Sequence, residues 1–359
     1  MHKIMKTLTV AIIGQGRSGR DIHGAFFKSD LNTKYRVIAV VDELEERRAR
    51  AREEWPGCDV YADYRELFGR TDIDVVVNST FSHQHAAVTE DLMLHGFNVV
   101  CEKPFARTYE EGAHAVKIAE KSGKMLNIFQ QSRFAPYYVK VREIIDSGIL
   151  GDPVQVAISF SGYARRWDWQ TSLAYGGGNL RNTGPHPLDQ ALDWLDFDEN
   201  IRVLSRMATV NTAGDAEDYA KIMLDCPGKP LIDVEISSCD AYLPYTYRIS
   251  CTKGCLRATN KVIEMKYFDP VAQPIPEQVL APLCKEDGTP AYCTETLDWK
   301  EETVQVEGSS FTYAVRSYYD MIYDYLVEGK PMKITPYQVL RQLRLIDEIR
   351  AQNPMPVKA

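Results

Sequence analysis

The sequence predicts an α/β protein in two parts, and three observations carry that expectation. Residues 8 to 126 alternate short β-branched runs with amphipathic helical stretches, the pattern of a parallel sheet covered by helices on both faces. A glycine-rich turn, Gly14-Gln15-Gly16-Arg17-Ser18-Gly19, directly follows the first of those runs. Beyond Pro153 strands follow one another with a single clear helix among them, which implies a mainly antiparallel second sheet. Domains of roughly 100–200 residues make two the expected number for 359 residues. The boundary is expected near residue 126, giving domains 1–126 and 127–359, with the final helix returning to the first.

Leu8–Ile13 reads as a buried strand, Arg20–Lys28 as a helix and Tyr35–Val41 as a second strand. Asp42–Glu54 is a charged helical stretch, with Glu43/Arg47 and Glu46/Arg50 spaced i,i+4 for a solvated face. Ile73–Asn78, the helix His85–His95 and Asn98–Cys101 complete the alternation. In the second part, Val154–Ser159, Ile201–Val210, Lys221–Asp225, Leu231–Ser237 and Arg248–Cys251 read as strands, and Pro187–Leu195 as the helix among them. Five prolines between Asp269 and Pro290 (Pro270, Pro274, Pro276, Pro282, Pro290) predict a long irregular excursion, of the kind that serves function or assembly. Helices Tyr313–Val327 and Pro336–Ala351 close the chain.

Composition narrows the function classes. Hydrophobic residues at 45% and charged residues at 26% are globular values. A net charge of −8 argues against nucleic acid as a partner, and no apolar run is long enough to span a bilayer. The Met1–Ile13 stretch lacks a small-residue cleavage site and runs straight into the glycines, so a cytoplasmic protein is expected. Eight scattered cysteines, with only Cys251 and Cys255 close together, fit free thiols better than a zinc site.

The glycine turn carries the first chemistry. Gly14 permits a tight turn, Gly16 lets a pyrophosphate approach the backbone, and Gly19 lets the helix pack on the strand. The helix start presents free N–H groups and partial positive charge to phosphates. Arg17 and Ser18 stand between those glycines. Asp42 ends the second strand about 20 residues beyond Gly19, where a carboxylate binds ribose hydroxyls and repels a 2′-phosphate. The cofactor expected is therefore NAD, with Gln15 also in the contacting loop and Arg47 and Arg48 paired on the helix surface. Glu102-Lys103-Pro104 sits at the carboxyl end of a later strand, where ligands of open α/β sheets bind. Lys103 there suits proton transfer or a hydrogen bond to a substrate hydroxyl, but a salt-bridged turn lysine has the same signature.

Taken together, five segments make the chain resemble the Gfo/Idh/MocA family of nicotinamide-dependent oxidoreductases over nearly its whole length. They are Gly14–Gly19, Thr80-Phe81-Ser82-His83-Gln84-His85, Glu102-Lys103-Pro104, Arg133-Phe134-Ala135-Pro136, and the run from Gly176 through Gly184-Pro185-His186-Pro187-Leu188-Asp189. The resemblance implies a Rossmann dinucleotide-binding domain followed by an α/β domain with a large open sheet that supports homo-oligomers. It implies hydride transfer at a secondary hydroxyl of a sugar, inositol or related polyol, with Lys103 and His186 at the family's catalytic positions. Ser79, Thr80, His85 and Glu102 would join the cofactor site, and Arg133 the substrate site. One departure stands out: the family's usual aspartate is Asn182 here, and an amide positions a hydroxyl without carrying a proton.

The remaining site residues can be argued from chemistry. Oxidising an alcohol needs a base near neutral pKa, and Pro187 would place His186 at a helix start, whose dipole keeps the ring neutral. Asp189 either orients that imidazole or is an acid at a helix start. His83 and His85 form an H-x-H pair with no third ligand in view, so no metal is expected. Tyr163-Ala164-Arg165-Arg166-Trp167-Asp168-Trp169-Gln170 packs aromatics, arginines and an acid just before the glycine run. Tyr163, Arg166, Trp167 and Trp169 there suit a sugar ring or an aryl glycoside. With Asn182, this loop is similar to that of family members oxidising glycosides at the sugar C-3 hydroxyl. The expected substrate is thus a sugar or glycoside, with an NAD-dependent glycosidase, an inositol or polyol dehydrogenase and a non-catalytic NAD-binding regulator as alternatives.

Overall fold

The computed structural model describes residues 6–242, 245–308 and 310–355; the first five residues of the Met1–Ile13 stretch lie outside them. Six short strands form a parallel sheet: β1 (Leu8–Ile13), β2 (Tyr35–Val41), β3 (Asp59–Tyr61), β4 (Val75–Asn78), β5 (Val99–Cys101) and β6 (Leu126–Ile128). Their order, β3-β2-β1-β4-β5-β6, reverses direction between β1 and β4, which opens a crevice at the carboxyl ends of those two strands. Strand β1 shows why continuous apolar runs build this sheet. Ala11 and Ile13 enter the apolar cluster on one face, while Leu8, Val10 and Ile12 enter that on the other.

Eight strands form the second sheet: β7 (Pro153–Ser161), β8 (Arg202–Ala208), β9 (Tyr219–Asp225), β10 (Leu231–Ser237), β11 (Tyr247–Cys251), β12 (Gly254–Ala258), β13 (Val262–Tyr267) and β14 (Lys300–Gln305). Their order is β14-β13-β12-β11-β7-β10-β9-β8, antiparallel throughout except for the β7–β10 pair. Alternate residues such as Ile222, Val234 and Ile249 are buried against the helices, while Lys221, Asp233 and Arg248 share the other face. Residues 268 to 299, between β13 and β14, are largely irregular and exposed, and Val271, Ile275, Leu280 and Tyr292 stand in solvent there.

The helices are α1 (Ala25–Lys28), α2 (Glu45–Glu54), α3 (His85–Leu94), α4 (Tyr109–Ser122), α5 (Pro136–Asp146), α6 (Asn179–Asn182), α7 (Pro185–Trp194), α8 (Ser310–Glu328) and α9 (Pro336–Gln352). The two final helices both return to the first sheet. Tyr318, Tyr319, Ile322 and Tyr323 of α8 complete one apolar cluster, and Val339, Leu340 and Leu343 of α9 complete the other. Leu345, Ile346 and Ile349, further along α9, enter the core of the second sheet, so one helix ties both units together. No helix among the described residues is long and apolar enough to cross a membrane, and all eight cysteines are free.

Candidate active site

A cleft of about 910 Å³ opens at the carboxyl ends of β1, β2, β4 and β5 and is closed from above by segments of the second unit. Its floor is the glycine turn. A Cβ on Gly19 would lie 1.8 Å from the Gly14 carbonyl oxygen, so only glycine lets the following helix approach the strand so closely. A Cβ on Gly16, by contrast, would meet nothing nearer than the Arg47 guanidinium at 3.8 Å, which leaves that side of the turn open. The helical turn Arg17–Gly24 then starts with no acidic residue and no capping side chain. Its first N–H groups therefore lack side-chain acceptors, with Arg17 lining the cleft beside them.

Asp42 is buried at the end of β2. Its Oδ2 accepts the Gln15 N–H at 2.7 Å and its Oδ1 the Leu44 N–H at 2.9 Å. The carboxylate thus holds the glycine turn and the start of α2 in place while lining the cleft. One expectation is corrected here: Arg47 does not pair on the helix surface but approaches Asp42 at 3.4 Å and lines the cleft. An acidic side chain buried near a strand end binds arginine in preference to leaving its charge unpaired. Arg48 does pair on the surface, with Glu45. An anion-receptive helix start, an open glycine edge and a carboxylate at the β2 end fit the pyrophosphate and ribose of NAD.

Ser79 and His85 line the cleft and also brace it. The Ser79 hydroxyl donates to the Ile13 carbonyl at 2.7 Å. The two ring nitrogens of His85 lie 2.7 Å from the Pro104 carbonyl and 3.1 Å from that of Thr80, which pins the loop after β4 to the turn after β5. Thr80, Glu102 and Lys103 line the cleft, whereas the Gln15 side chain folds back to the Gly14 carbonyl.

Lys103 follows β5, and its Nζ donates to the backbone carbonyl of Asn182 at 2.8 Å. Burial pushes its pKa below the usual 10.5; Glu102 pulls it upward and Arg17 adds to the depression. His186 lies one residue into α7, after Pro185 in the first turn, and lines the same cleft. Burial and then the charge of Lys103 push the imidazole down to about 3, against a smaller opposing effect of Glu102. At neutral pH the ring is therefore uncharged and able to accept a proton. The Asn182 side-chain carbonyl accepts from Gln170 Nε2 at 3.1 Å, and Gln170 also meets the Arg166 guanidinium, which chelates Asp168. Trp169 closes the rim against Phe81 in an edge-to-face pair at 6.1 Å, joining the two units across the cleft mouth.

Arg133, Tyr163 and Trp167, expected at the substrate site, lie elsewhere, and of the two readings of Asp189 the orienting one is not met. Arg133 is fully buried and does not line the cleft: its guanidinium is held by Asp189 (2.8 Å to Oδ2), Gln338 and the Lys333 carbonyl. Asp189 therefore does not orient His186, whose Nδ1 is buried with no partner among the described residues. A buried guanidinium needs a charge partner, and the helix face carrying Asp189 points to the core. Trp167 and Tyr163 also stay outside the cleft. Tyr163 forms a strand bridge with Cys239, and Trp167, 81% exposed, lines a neighbouring hollow of about 400 Å³ with Arg165, Arg166 and residues 210–213. Sequence reasoning missed Gln131, whose buried Oε1 has no partner among the described residues, and Arg181; both line the cleft. Neither carries a local motif, although Gln131 lies two residues before the Arg133–Pro136 segment.

Comparisons with known proteins agree with this geometry. Residues 8–130 match the family model of an oxidoreductase family with an NAD-binding Rossmann fold, and residues 138–257 match the GFO/IDH/MocA C-terminal domain. The chain is 28% identical over 280 residues to the uncharacterized oxidoreductase C115.03 of Schizosaccharomyces pombe, covering 74% of this chain and 73% of that one. It is 24% identical over 354 residues to the scyllo-inositol 2-dehydrogenase (NADP(+)) IolW of Bacillus subtilis, covering 95% and 92%. An oxidoreductase from Agrobacterium radiobacter, solved in complex with NAD+, L-tartaric acid and magnesium, shares the fold. Its TM-score is 0.77 at 19% identity, covering 97% of this chain and 96% of that one.

Proposed function

The chain belongs to the Gfo/Idh/MocA family of NAD-dependent oxidoreductases, and from that premise we propose that it oxidises a secondary hydroxyl of a sugar or glycoside, at C-3 of a glucoside. One observation carries the proposal. A neutral histidine and a lysine, both half-buried, line the same cleft as the glycine turn. NAD+, when bound, supplies the hydride acceptor. His186 takes the proton of the hydroxyl as hydride leaves its carbon. Lys103, held by the Asn182 carbonyl, donates to the same oxygen and stabilises the negative charge that develops on it. Asn182 and Gln170 form a hydrogen-bonded pair that fixes neighbouring ring hydroxyls without moving a proton.

The hollow beside the cleft favours a glycoside over a free sugar. It shares Arg166 with the cleft and is walled by Trp167, so an aromatic aglycone attached to the reacting ring has a stacking surface there. In the glycosidase variant, the C-3 ketone acidifies C-2 and lets the aglycone leave by elimination. The second reading is oxidation of an inositol or polyol, favoured by relatives that include inositol 2-dehydrogenases at 26–28% identity. Homo-oligomers remain part of the proposal: the second sheet leaves one face uncovered, with Leu204 exposed at its edge.

A panel of glycosides, free sugars and inositols, incubated with NAD+ and read by mass spectrometry, separates these readings. A product two hydrogens lighter than a glucoside supports glycoside oxidation, and free aglycone identifies the glycosidase. Turnover of inositols alone would replace the proposal with the polyol reading. No turnover of any compound with NAD bound would leave a regulator.

A further inference from the structure

His23 and Tyr319 lie outside the cleft lining and outside the steps above, yet both are buried. His23 stands in the helical turn after the glycine loop, and Tyr319 comes from α8, 296 positions later in the chain. The imidazole bridges two partners: Nδ1 lies 2.7 Å from the Tyr319 hydroxyl and Nε2 lies 3.2 Å from Glu102 Oε1. The other carboxylate oxygen of Glu102 accepts the backbone N–H of Lys103 at 3.0 Å. An ionised carboxylate only accepts, so His23 Nε2 carries the hydrogen and donates it. On a neutral ring Nδ1 then accepts from the Tyr319 O–H, which fixes the tautomer. Tyr319 is itself fixed: its ring stacks on Phe26 at 4.9 Å, and its carbonyl accepts from the Tyr35 hydroxyl at 2.6 Å. Phe129 packs 4.4 Å from the imidazole and closes the remaining side.

The consequence falls on Lys103. The charged or titratable groups that face it are Glu102 beside it, Arg17 from the glycine loop and His186 from α7. Glu102 is the one anion among them. Burial pushes the Glu102 carboxyl up, but the hydrogen bond from His23 and the charge of Lys103 hold it below the usual carboxylate range. We propose that His23, oriented by Tyr319, is a positioning residue that fixes the Glu102 carboxylate, which also holds the Lys103 backbone N–H, and so helps keep the Lys103 ammonium charged for alkoxide stabilisation. The functional half of this statement rests on the role assigned to Lys103 above; the electrostatic half does not.

Lysine Cε-13C-labelled protein, saturated with NAD+, tests it without a substrate. The Lys103 resonance is assigned by its loss in Lys103→Arg and followed against pH. In His23→Leu the Lys103 midpoint should fall by about one pH unit or more, the equivalent of a tenfold change in protonation. His23→Gln, whose amide can both donate to Glu102 and accept from Tyr319, should restore most of it. Tyr319→Phe, which loses one oxygen, should move the midpoint in the same direction by less, and it stands in for His23→Leu if that variant does not fold. An unmoved midpoint in a folded His23→Leu or Tyr319→Phe protein overturns the proposal, as does failure of the glutamine to restore it. A lowered midpoint with undiminished turnover near pH 9 would keep the electrostatic link and overturn the role given to Lys103.

Discussion

Replacing Asp189 by asparagine separates two accounts of the residue three positions after the candidate base. If Asp189 oriented His186, the variant would lose turnover and keep its stability. The structure instead buries Asp189 completely against the Arg133 guanidinium, in a two-point contact whose shorter arm is 2.5 Å. Burial pushes the Asp189 carboxyl up and Arg133 pulls it down, while Asp189 helps hold Arg133 above its usual value. Asparagine keeps the shape and one acceptor oxygen but removes the charge, leaving the buried guanidinium with neutral acceptors only: that amide oxygen, the Gln338 side chain and the Lys333 carbonyl. Breaking one side of a buried pair costs about 3–5 kcal/mol. For a protein of 359 residues that lowers the unfolding midpoint by about 4–7 °C. Scanning calorimetry of the NAD-free protein reads the first quantity, and kcat measured at least twenty degrees below the variant's midpoint reads the second. The expected result is a large loss of stability with kcat within about threefold of the parent. A kcat lowered a thousandfold at unchanged stability would refute the assignment of Asp189 to the core.

Other predictions concern the cleft. NAD(H) should bind at least about tenfold more tightly than NADP(H), about 1.4 kcal/mol. Asp42→Ala should narrow that ratio, because the Arg47 guanidinium 3.4 Å from the carboxylate becomes free to meet a 2′-phosphate; titration calorimetry with both dinucleotides measures it, and an unchanged ratio contradicts the role given to Asp42. Asn182→Ala should chiefly raise KM, while Asn182→Asp should retain activity with its pH optimum displaced upward, since a carboxylate near Lys103 favours the ammonium. On the acidic side, His186 must be neutral to accept a proton, so activity is present above its pKa and lost below it. With that pKa pushed down to about 3, kcat/KM should show no histidine limb near pH 6.5, and a limb there would place His186 in contact with water or an acid.

The parts of this fold that can be read from sequence are those buried on both faces. Strand β4 is wholly buried apolar chain apart from its final asparagine, and its residues Val75–Asn78 stand out in any reading. By contrast, β14, with the sequence KEETVQ, is exposed along nearly its whole length and is held as a strand by pairing with β13 alone. The start of helix α4 is written locally: Thr108 and Glu111 form the T-x-x-E pattern of a helix start, and the Thr108 hydroxyl accepts the Glu111 N–H. At the site, Gly14–Gly19, Asp42 and His186 are legible because local spacing puts each at a strand end or helix start, whereas Lys103 shares its signature with a salt-bridged turn lysine and stands out only through the family resemblance. Arg133, Asp189 and Trp167 are not legible, because burial and the direction of a side chain depend on packing between segments far apart in sequence. Arg133 and Asp189 lie 56 residues apart and meet only in the folded core, so charge near a glycine run gives no hint that it points inward.

The central claim is that His186 accepts the proton as hydride passes from C-3 of a glucoside to NAD+. Single-turnover NADH formation from phenyl β-D-glucoside, unlabelled and deuterated at C-3, tests it most directly in the parent and in His186→Ala. In the parent, deuterium at C-3 should slow NADH formation. In His186→Ala the rate should be lower by roughly 10²–10⁴-fold with NAD+ still bound. His186→Ala reacting at the parent's rate would contradict it.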